Sequence, residues 1–337
     1  MAEEEEDMVC DLPSEPTSLR KMVLTKKGGL PPPAPKFKSP TQELTPLPWQ
    51  DFFDEKRQIE INEDVFNVYL KGERGPIFYM LHGGGYSGLT WSCLAQKLVQ
   101  EVDTCRILAP DLRGHGETQC DDEMDLSTER QVADIIAIFE KIYGNEDDAS
   151  VSIIGHSMGG ALAIHTIVAN QIRAKVTGLV VIDVVEGSAM EALGGMVHFL
   201  HSRPSTFDTL ERAVKWCLSS GTVRNRTAAR VSMPSQIRQI GENEWSWRID
   251  LTQTEKYWKG WFEGLSAKFL SCPVPKLLVL AGVDRLDKDL TIGQMQGKFQ
   301  TCVLPRVGHC VQEDSPDHLS DELARFSIRF QFAQPKR

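Results

Sequence analysis

Gly155-His156-Ser157-Met158-Gly159 carries a serine between two glycines, each two residues away. The pattern suits a sharp strand-to-helix turn, whose middle residue takes a strained backbone and crowds its neighbours. Glycine at 155 and 159 removes the side chains that would clash, so the Ser157 hydroxyl can stand clear at a helix N-terminus. A serine hydroxyl is a poor nucleophile at neutral pH. It needs a histidine to take its proton and an acid to hold that histidine in the right tautomer. An aspartate at position 157 would suit epoxide or dehalogenation chemistry; serine points to ester, thioester or amide acyl transfer.

Around a serine on such a turn, the acid and then the histidine follow in chain order. His309, in the run Arg306 to Cys310, follows the last strand the pattern predicts, where a loop can drop the ring back over the serine. His82 and His115 precede the serine. His165 lies two turns along the helix that leads away from it, His198 and His201 fall in a later helical stretch, and His318 is close to the terminus. His156, adjacent to the serine on the turn, is expected to point elsewhere. The acid has two readings. Asp183 ends the strand after the serine unit; Asp284 and Asp287 follow the strand before the histidine loop. Sequence geometry leaves both open, and the commonest position in such folds favours Asp284.

His82-Gly83-Gly84-Gly85 follows a predicted strand, and its glycines let backbone N–H groups face a ligand closely. The Gly-Lys-Ser/Thr continuation of a phosphate-cradling loop is missing. Beside a nucleophilic serine the run suits an oxyanion hole, with donors from Met158 N–H and, within this run, Gly84 N–H. Asp111 and Arg113, in a polar glycine-rich stretch at another strand end, suit loop-tying hydrogen bonds better than catalysis.

The elements that must position these groups read as short apolar strands alternating with helices. Residues 57–61 and 65–70 form a hairpin; 77–81, 106–109, 151–154, 176–182, 276–281 and 302–304 are strands; 128–143, 161–172 and 322–330 are helices. This alternation predicts a mostly parallel sheet covered on both faces. Residues 186 to about 268 read as mostly helical, without a convincing core strand, and hold five of the seven tryptophans; we read them as a cap over the carboxyl ends of the strands. Residues 1–47 combine an acidic start, a small basic patch from Arg20 to Lys27 and a proline run at 31–35, and read as a disordered segment ahead of a domain over 48–337.

The formal net charge of −10 argues against nucleic-acid or anionic-membrane partners. Eight scattered cysteines form no C-x-x-C pair or metal-ligand spacing, so neither a metal nor another cofactor is expected. No hydrophobic leader or membrane-length apolar run is present, and the reading is a reducing compartment, cytosol or nucleus. The Asn225-Arg226-Thr227 sequon then has no glycosylation role.

Five runs taken together resemble the protein phosphatase methylesterases: 81–91, 154–161, 182–190, 254–262 and 280–297. The likeness extends from roughly Pro48 to Ala333. Many hydrolases share the first two runs, whereas Asp183-Val-Val-Glu-Gly187 and the 280–297 run are particular to this family. The resemblance implies an α/β-hydrolase fold and a serine esterase that removes the methyl ester from the C-terminal leucine of type-2A protein phosphatase catalytic subunits. It also implies a triad of Ser157, Asp183 and His309, which reverses the preference for Asp284, and a cap that helps to dock the phosphatase. Three features depart from the family pattern: the acidic N-terminus, a short segment at 240–245, and Gln312 where relatives often carry a histidine. Two rival readings are a broad small-molecule carboxylesterase and a non-catalytic phosphatase-binding protein on a hydrolase fold.

Overall fold

The computed structural model describes residues 44–282 and 286–336. Eleven strands are seen among them: β1 (Glu55–Ile61), β2 (Asp64–Lys71), β3 (Ile77–Leu81), β4 (Arg106–Pro110), β5 (Ser150–His156), β6 (Lys175–Ile182), β7 (Thr206–Phe207), β8 (Ile237–Gly241), β9 (Glu244–Trp247), β10 (Lys276–Leu280) and β11 (Gln300–Val303). The helices are α1 (Ser92–Glu101), α2 (Thr128–Tyr143), α3 (Met158–Ala169), α4 (Glu186–His201), α5 (Leu210–Ser219), α6 (Arg226–Ser232), α7 (Glu255–Phe262), α8 (Leu265–Ser271), α9 (Lys288–Met295), α10 (Val311–Asp314) and α11 (Pro316–Arg329).

Eight strands form one sheet in the order β1-β2-β4-β3-β5-β6-β10-β11. β1 pairs antiparallel with β2, and β2 with β4; the remaining pairs are parallel. Period-2 alternation divides the strand residues between two cores. Ile77, Tyr79, Leu81, Val151, Ile153, Leu179 and Val181 face one side with α2 and α3. Phe78, Met80, Ile154, Val180 and Ile182 face the other with α1 and α11. A sheet buried on both faces needs continuous apolar strands, and β3 is buried along its whole length.

Strand order reverses at β3. The chain leaves β3 for β4 on one side and returns to β5 on the other, so the ends of β3 and β5 lie side by side with Leu81 opposite Gly155. In open α/β sheets that reversal opens a crevice at the strand carboxyl ends, where ligands bind. Here it brings the 82–85 loop against the turn that carries Ser157.

The segment between β6 and β10 differs from a purely helical cap. α4 to α8 are present, but β7, β9 and β8 make a small antiparallel sheet of their own. Its hairpin turns at Asn243, whose φ of 54° suits asparagine in a tight turn. The alternation Trp245, Ser246, Trp247 is a strand period that the tryptophan content hides.

Residues 44–47 join the folded unit: Leu47 N–H donates to Arg230 O at 3.0 Å, and Arg230 Nε–H donates to Thr45 O at 2.7 Å. The expectation for the rest of the N-terminal segment falls on residues 1–43, outside the described residues.

Candidate active site

Ser157 sits between β5 and α3 with φ 53° and ψ −120°, a backbone conformation that L residues avoid. Its surroundings hold it there. Ser157 N–H donates to Ile182 O at 3.0 Å, and Ser157 O accepts from Gly160 N–H and Ala161 N–H at 2.9 and 3.1 Å. The flanking glycines are steric requirements. A Cβ on Gly155 would lie 2.1 Å from Gly159 O, and one on Gly159 would lie 2.2 Å from Leu81 O. α3 is largely apolar, and nine of its twelve residues are buried, so the turn rests on a packed support.

Asp183 follows β6 directly, with φ 52°, and its N–H donates to Val279 O at 2.8 Å. Its side chain is fully buried. Oδ1 accepts from Ala281 N–H at 2.9 Å, and Oδ2 lies 2.8 Å from His309 Nδ1. A carboxylate accepts, so Nδ1 carries the proton and Nε2 keeps its lone pair, the tautomer a general base needs. The other carboxylates considered differ in placement. Asp287 caps α9 through Leu290 N–H at 2.9 Å and accepts from Ser266 Oγ at 2.5 Å. Asp284 lies outside the described residues.

Ser157 and His309 line one cavity of about 150 Å³ together with Leu193, Met196, Trp258 and Phe262. No hydrogen bond among the described residues joins the Ser157 hydroxyl to the His309 ring. The ring is 47% exposed, so it has room to move toward the hydroxyl. Gly84 and Met158 line the same cavity, and neither N–H donates to another described residue. Those two donors are free for a ligand oxygen.

Several histidines set aside as bases hold the site together. His156 is fully buried, and its Nε2–H donates to the His309 carbonyl at 2.8 Å while the two rings lie 4.6 Å apart. It therefore points under the histidine loop, nearer the site than its place beside the serine suggested. Burial and the adjacent His309 push its pKa down to about 3, so it stays neutral. His82 Nδ1–H donates to Gly83 O at 2.8 Å while Nε2 accepts from Leu112 N–H at 2.9 Å. His115 Nδ1–H donates to Arg113 O at 2.7 Å while Nε2 accepts from Gly85 N–H at 2.8 Å. Burial lowers both pKa values, that of His115 to about 4. Each ring tolerates this because it must accept at Nε2, which imidazolium cannot do. His165 ties α3 to the cap, 3.0 Å from Trp261 O.

The loop-tying residues are as compact as expected. Asp111 is buried and accepts from Asn67 Nδ2, Gly88 N–H and Glu117 N–H at 2.8, 2.7 and 2.9 Å; burial raises its pKa to about 6. Arg113 pairs with Asp64 at 2.5 Å and with Asp134 at 2.7 Å. Behind His309, Glu313 is fully buried. Ser232 Oγ of α6 donates to its Oε2 at 2.7 Å, Thr90 Oγ1 donates to its Oε1, and Gln312 Nε2 donates to Thr90 Oγ1 at 2.9 Å. Asp314 accepts from Gly308 N–H and Arg224 N–H, both at 2.7 Å, which fixes the histidine loop to the cap.

Comparison with known proteins agrees with this geometry. A family model described as the α/β hydrolase family matches residues 78–321. A probable protein phosphatase methylesterase 1 of Caenorhabditis elegans is 64% identical over 345 residues, covering 100% of this chain and 94% of that protein. Protein phosphatase methylesterase 1 of Mus musculus is 45% identical over 340 residues, 87% of each chain. The chain belongs to the protein phosphatase methylesterases. The fold of this family member is shared with distant hydrolases. E-2-(acetamidomethylene)succinate hydrolase superposes with a TM-score of 0.66 at 20% identity, over 81% of this chain and 99% of that one. A Mycobacterium tuberculosis esterase gives 0.62 at 22%, over 82% and 92%.

Sequence reasoning missed His156 and Glu313 in this methylesterase site, and Arg203, which also lines the cavity. His156 had a signal, since a residue adjacent to the nucleophile at a strand end must pack against whatever loop covers the turn. Glu313 lies four residues beyond His309, on the first helix turn after it. Arg203 had none in the sequence.

Proposed function

We propose that this chain is a serine carboxylesterase that removes the methyl ester from the C-terminal leucine of a type-2A protein phosphatase catalytic subunit. One observation carries the reading: His309, paired with the buried Asp183, and the strained Ser157 turn line a single apolar cavity, in a chain 64% identical to a probable protein phosphatase methylesterase 1. The Leu193, Met196 and Phe262 lining suits a leucine side chain, and a methyl ester adds no charge that an apolar wall would reject.

In the first step His309 Nε2 closes to hydrogen-bond distance, about 3 Å, from Ser157 Oγ. Oγ attacks the ester carbonyl as its proton passes to Nε2. The resulting oxyanion accepts from Gly84 N–H and Met158 N–H, and Asp183 stabilises the imidazolium. Collapse breaks the C–OCH₃ bond, and the imidazolium protonates the leaving methoxide to methanol. Water, deprotonated by His309, then attacks the acyl-serine; a second collapse frees the carboxylate and returns the proton to Ser157.

The test is incubation of the pure chain with a carboxymethylated type-2A phosphatase catalytic subunit, following methanol release and the free C-terminus. Stoichiometric demethylation is expected, and absence of demethylation by the wild-type chain overturns the proposal. Fast turnover of short nitrophenyl esters combined with indifference to the phosphatase would favour a broad esterase instead.

A further inference from the structure

The cavity that holds Ser157 and His309 is also lined by Arg203, two residues beyond α4. Its guanidinium lies 4.1 Å from the centre of the Trp247 ring. That ring is fixed in turn: Trp247 Nε1–H donates to Pro204 O at 2.7 Å, and Trp216 and Phe207 flank it at 5.4 and 5.6 Å. Arg203 is thus held at one place on an aromatic wall.

What distinguishes it is that no described residue serves as its counterion. Other inward-facing arginines are paired, Arg113 with Asp64 and Asp134, Arg248 with Glu123, and Arg106 with Glu146. Arg203 forms no ion pair among the described residues, and its Nε is buried without an acceptor. Asp250 attracts it from a distance, but the Asp250 carboxylate is already engaged by Thr252 and Gln253. In a chain with 47 acidic residues against 37 basic ones, carboxylates are not scarce. Arg203 is half-buried, and a guanidinium cannot escape by losing its proton, so withdrawing part of it from water without an anion is costly. That cost is recovered when a ligand brings the anion.

We infer that Arg203 is a specificity-determining residue that binds an anionic side-chain group, a carboxylate or a phosphate, on the peptide tail upstream of its esterified C-terminal residue. The inference rests on the proposed methylesterase reading. The ester itself is neutral, and its carbonyl is served by the Ser157 turn and the free N–H groups of Gly84 and Met158. Arg203 belongs to the cap wall with Trp216 and Trp247, where the preceding residues of a tail entering the cavity would pass. Its planar fork of N–H donors matches a carboxylate or a phosphate in two parallel hydrogen bonds.

The experiment measures binding of synthetic hexapeptides ending in leucine methyl ester to the full chain carrying Ser157→Ala, by calorimetry. Peptide pairs differ at one upstream position, glutamate against glutamine and phosphoserine against serine. The anionic member of at least one pair is expected to bind about tenfold more tightly, and the pair that discriminates identifies the source of the anion. Adding Arg203→Met, which keeps an apolar stem against Trp247, should bring that ratio close to one. Mere loss of packing would weaken both members alike and leave the ratio unchanged, which would overturn the inference. So would equal binding of both members by Ser157→Ala alone, or tighter binding of free-acid over methyl-ester peptides whatever the upstream residue, which would assign Arg203 to the product carboxylate. Because binding is read without turnover, failure of the esterase reading shows separately, in the wild-type demethylation assay.

Discussion

Asp183 gives each of its carboxylate oxygens a different task. Oδ1 is anchored by Ala281 N–H, and Oδ2 orients the His309 ring. Replacing Asp183 by asparagine keeps the shape but can offer an N–H where Nδ1 needs an acceptor, which favours the wrong tautomer. We expect kcat to fall by about 10³–10⁴ with the fold intact. Asp284→Asn should leave turnover near the wild-type value; the reverse pattern in steady-state kinetics would assign the acid to Asp284. His156 works one step further back, through the His309 carbonyl. His156→Phe fills the same buried space without that donor, and about a tenfold loss of kcat at little-changed KM is expected, the worth of one hydrogen bond. An unchanged kcat would show that the loop holds its place without it. At this scale the sequence singled out Ser157 and His309, which the structure brings to one cavity, because a strand-to-helix serine turn leaves a glycine pattern and chain order limits the candidate base. It did not disclose supporting groups such as Glu313, whose roles exist only once distant loops meet.

At the scale of elements, the site follows from two strand ends and one helix. The reversal of strand order at β3 sets the 82–85 loop beside the serine turn, and the buried helix α3 prevents that turn from relaxing. The packing there is tight enough to test. Gly159→Ala would place a Cβ 2.2 Å from Leu81 O, a backbone atom that cannot swing away. We expect a loss of about 3 kcal/mol or more in urea unfolding, or failure to fold; near wild-type stability would mean the turn has slack the geometry denies. The central strands were legible because burial on both faces demands unbroken apolar runs, and β3 was predicted to the residue. The cap strands were not. β7 has only two residues, and the Trp245–Trp247 alternation sits in a segment whose composition otherwise reads as helix.

Across the whole molecule, cap and sheet meet through buried polar groups, and these make the junction sensitive to pH. Burial raises the Glu313 pKa from 4.5 to about 7, since its two hydroxyl donors only partly replace water. A carboxyl whose pKa is raised on folding contributes stability below its unfolded pKa. That contribution is lost as pH climbs from about 4.5 to about 7. Glu313→Gln removes the titration and keeps the shape. Its stability relative to wild type should therefore rise across that window, by an amount on the order of 3 kcal/mol, when unfolding curves are compared at several pH values. The lowered pKa values of His82, His115 and His156 act with the opposite sign but are common to both proteins and cancel in the difference. A flat difference would mean that Glu313 is ionised and fully satisfied throughout.

The proposed role of Ser157, a nucleophile primed by His309, draws on all three scales. The most direct test treats the wild-type chain with a fluorophosphonate and locates the adduct by peptide mass spectrometry, alongside Ser157→Ala and His309→Ala. The account predicts one adduct, on Ser157, absent from Ser157→Ala and formed far more slowly by His309→Ala. Wild-type chain that demethylates the phosphatase tail but is labelled elsewhere, or Ser157→Ala that keeps its activity, would contradict it.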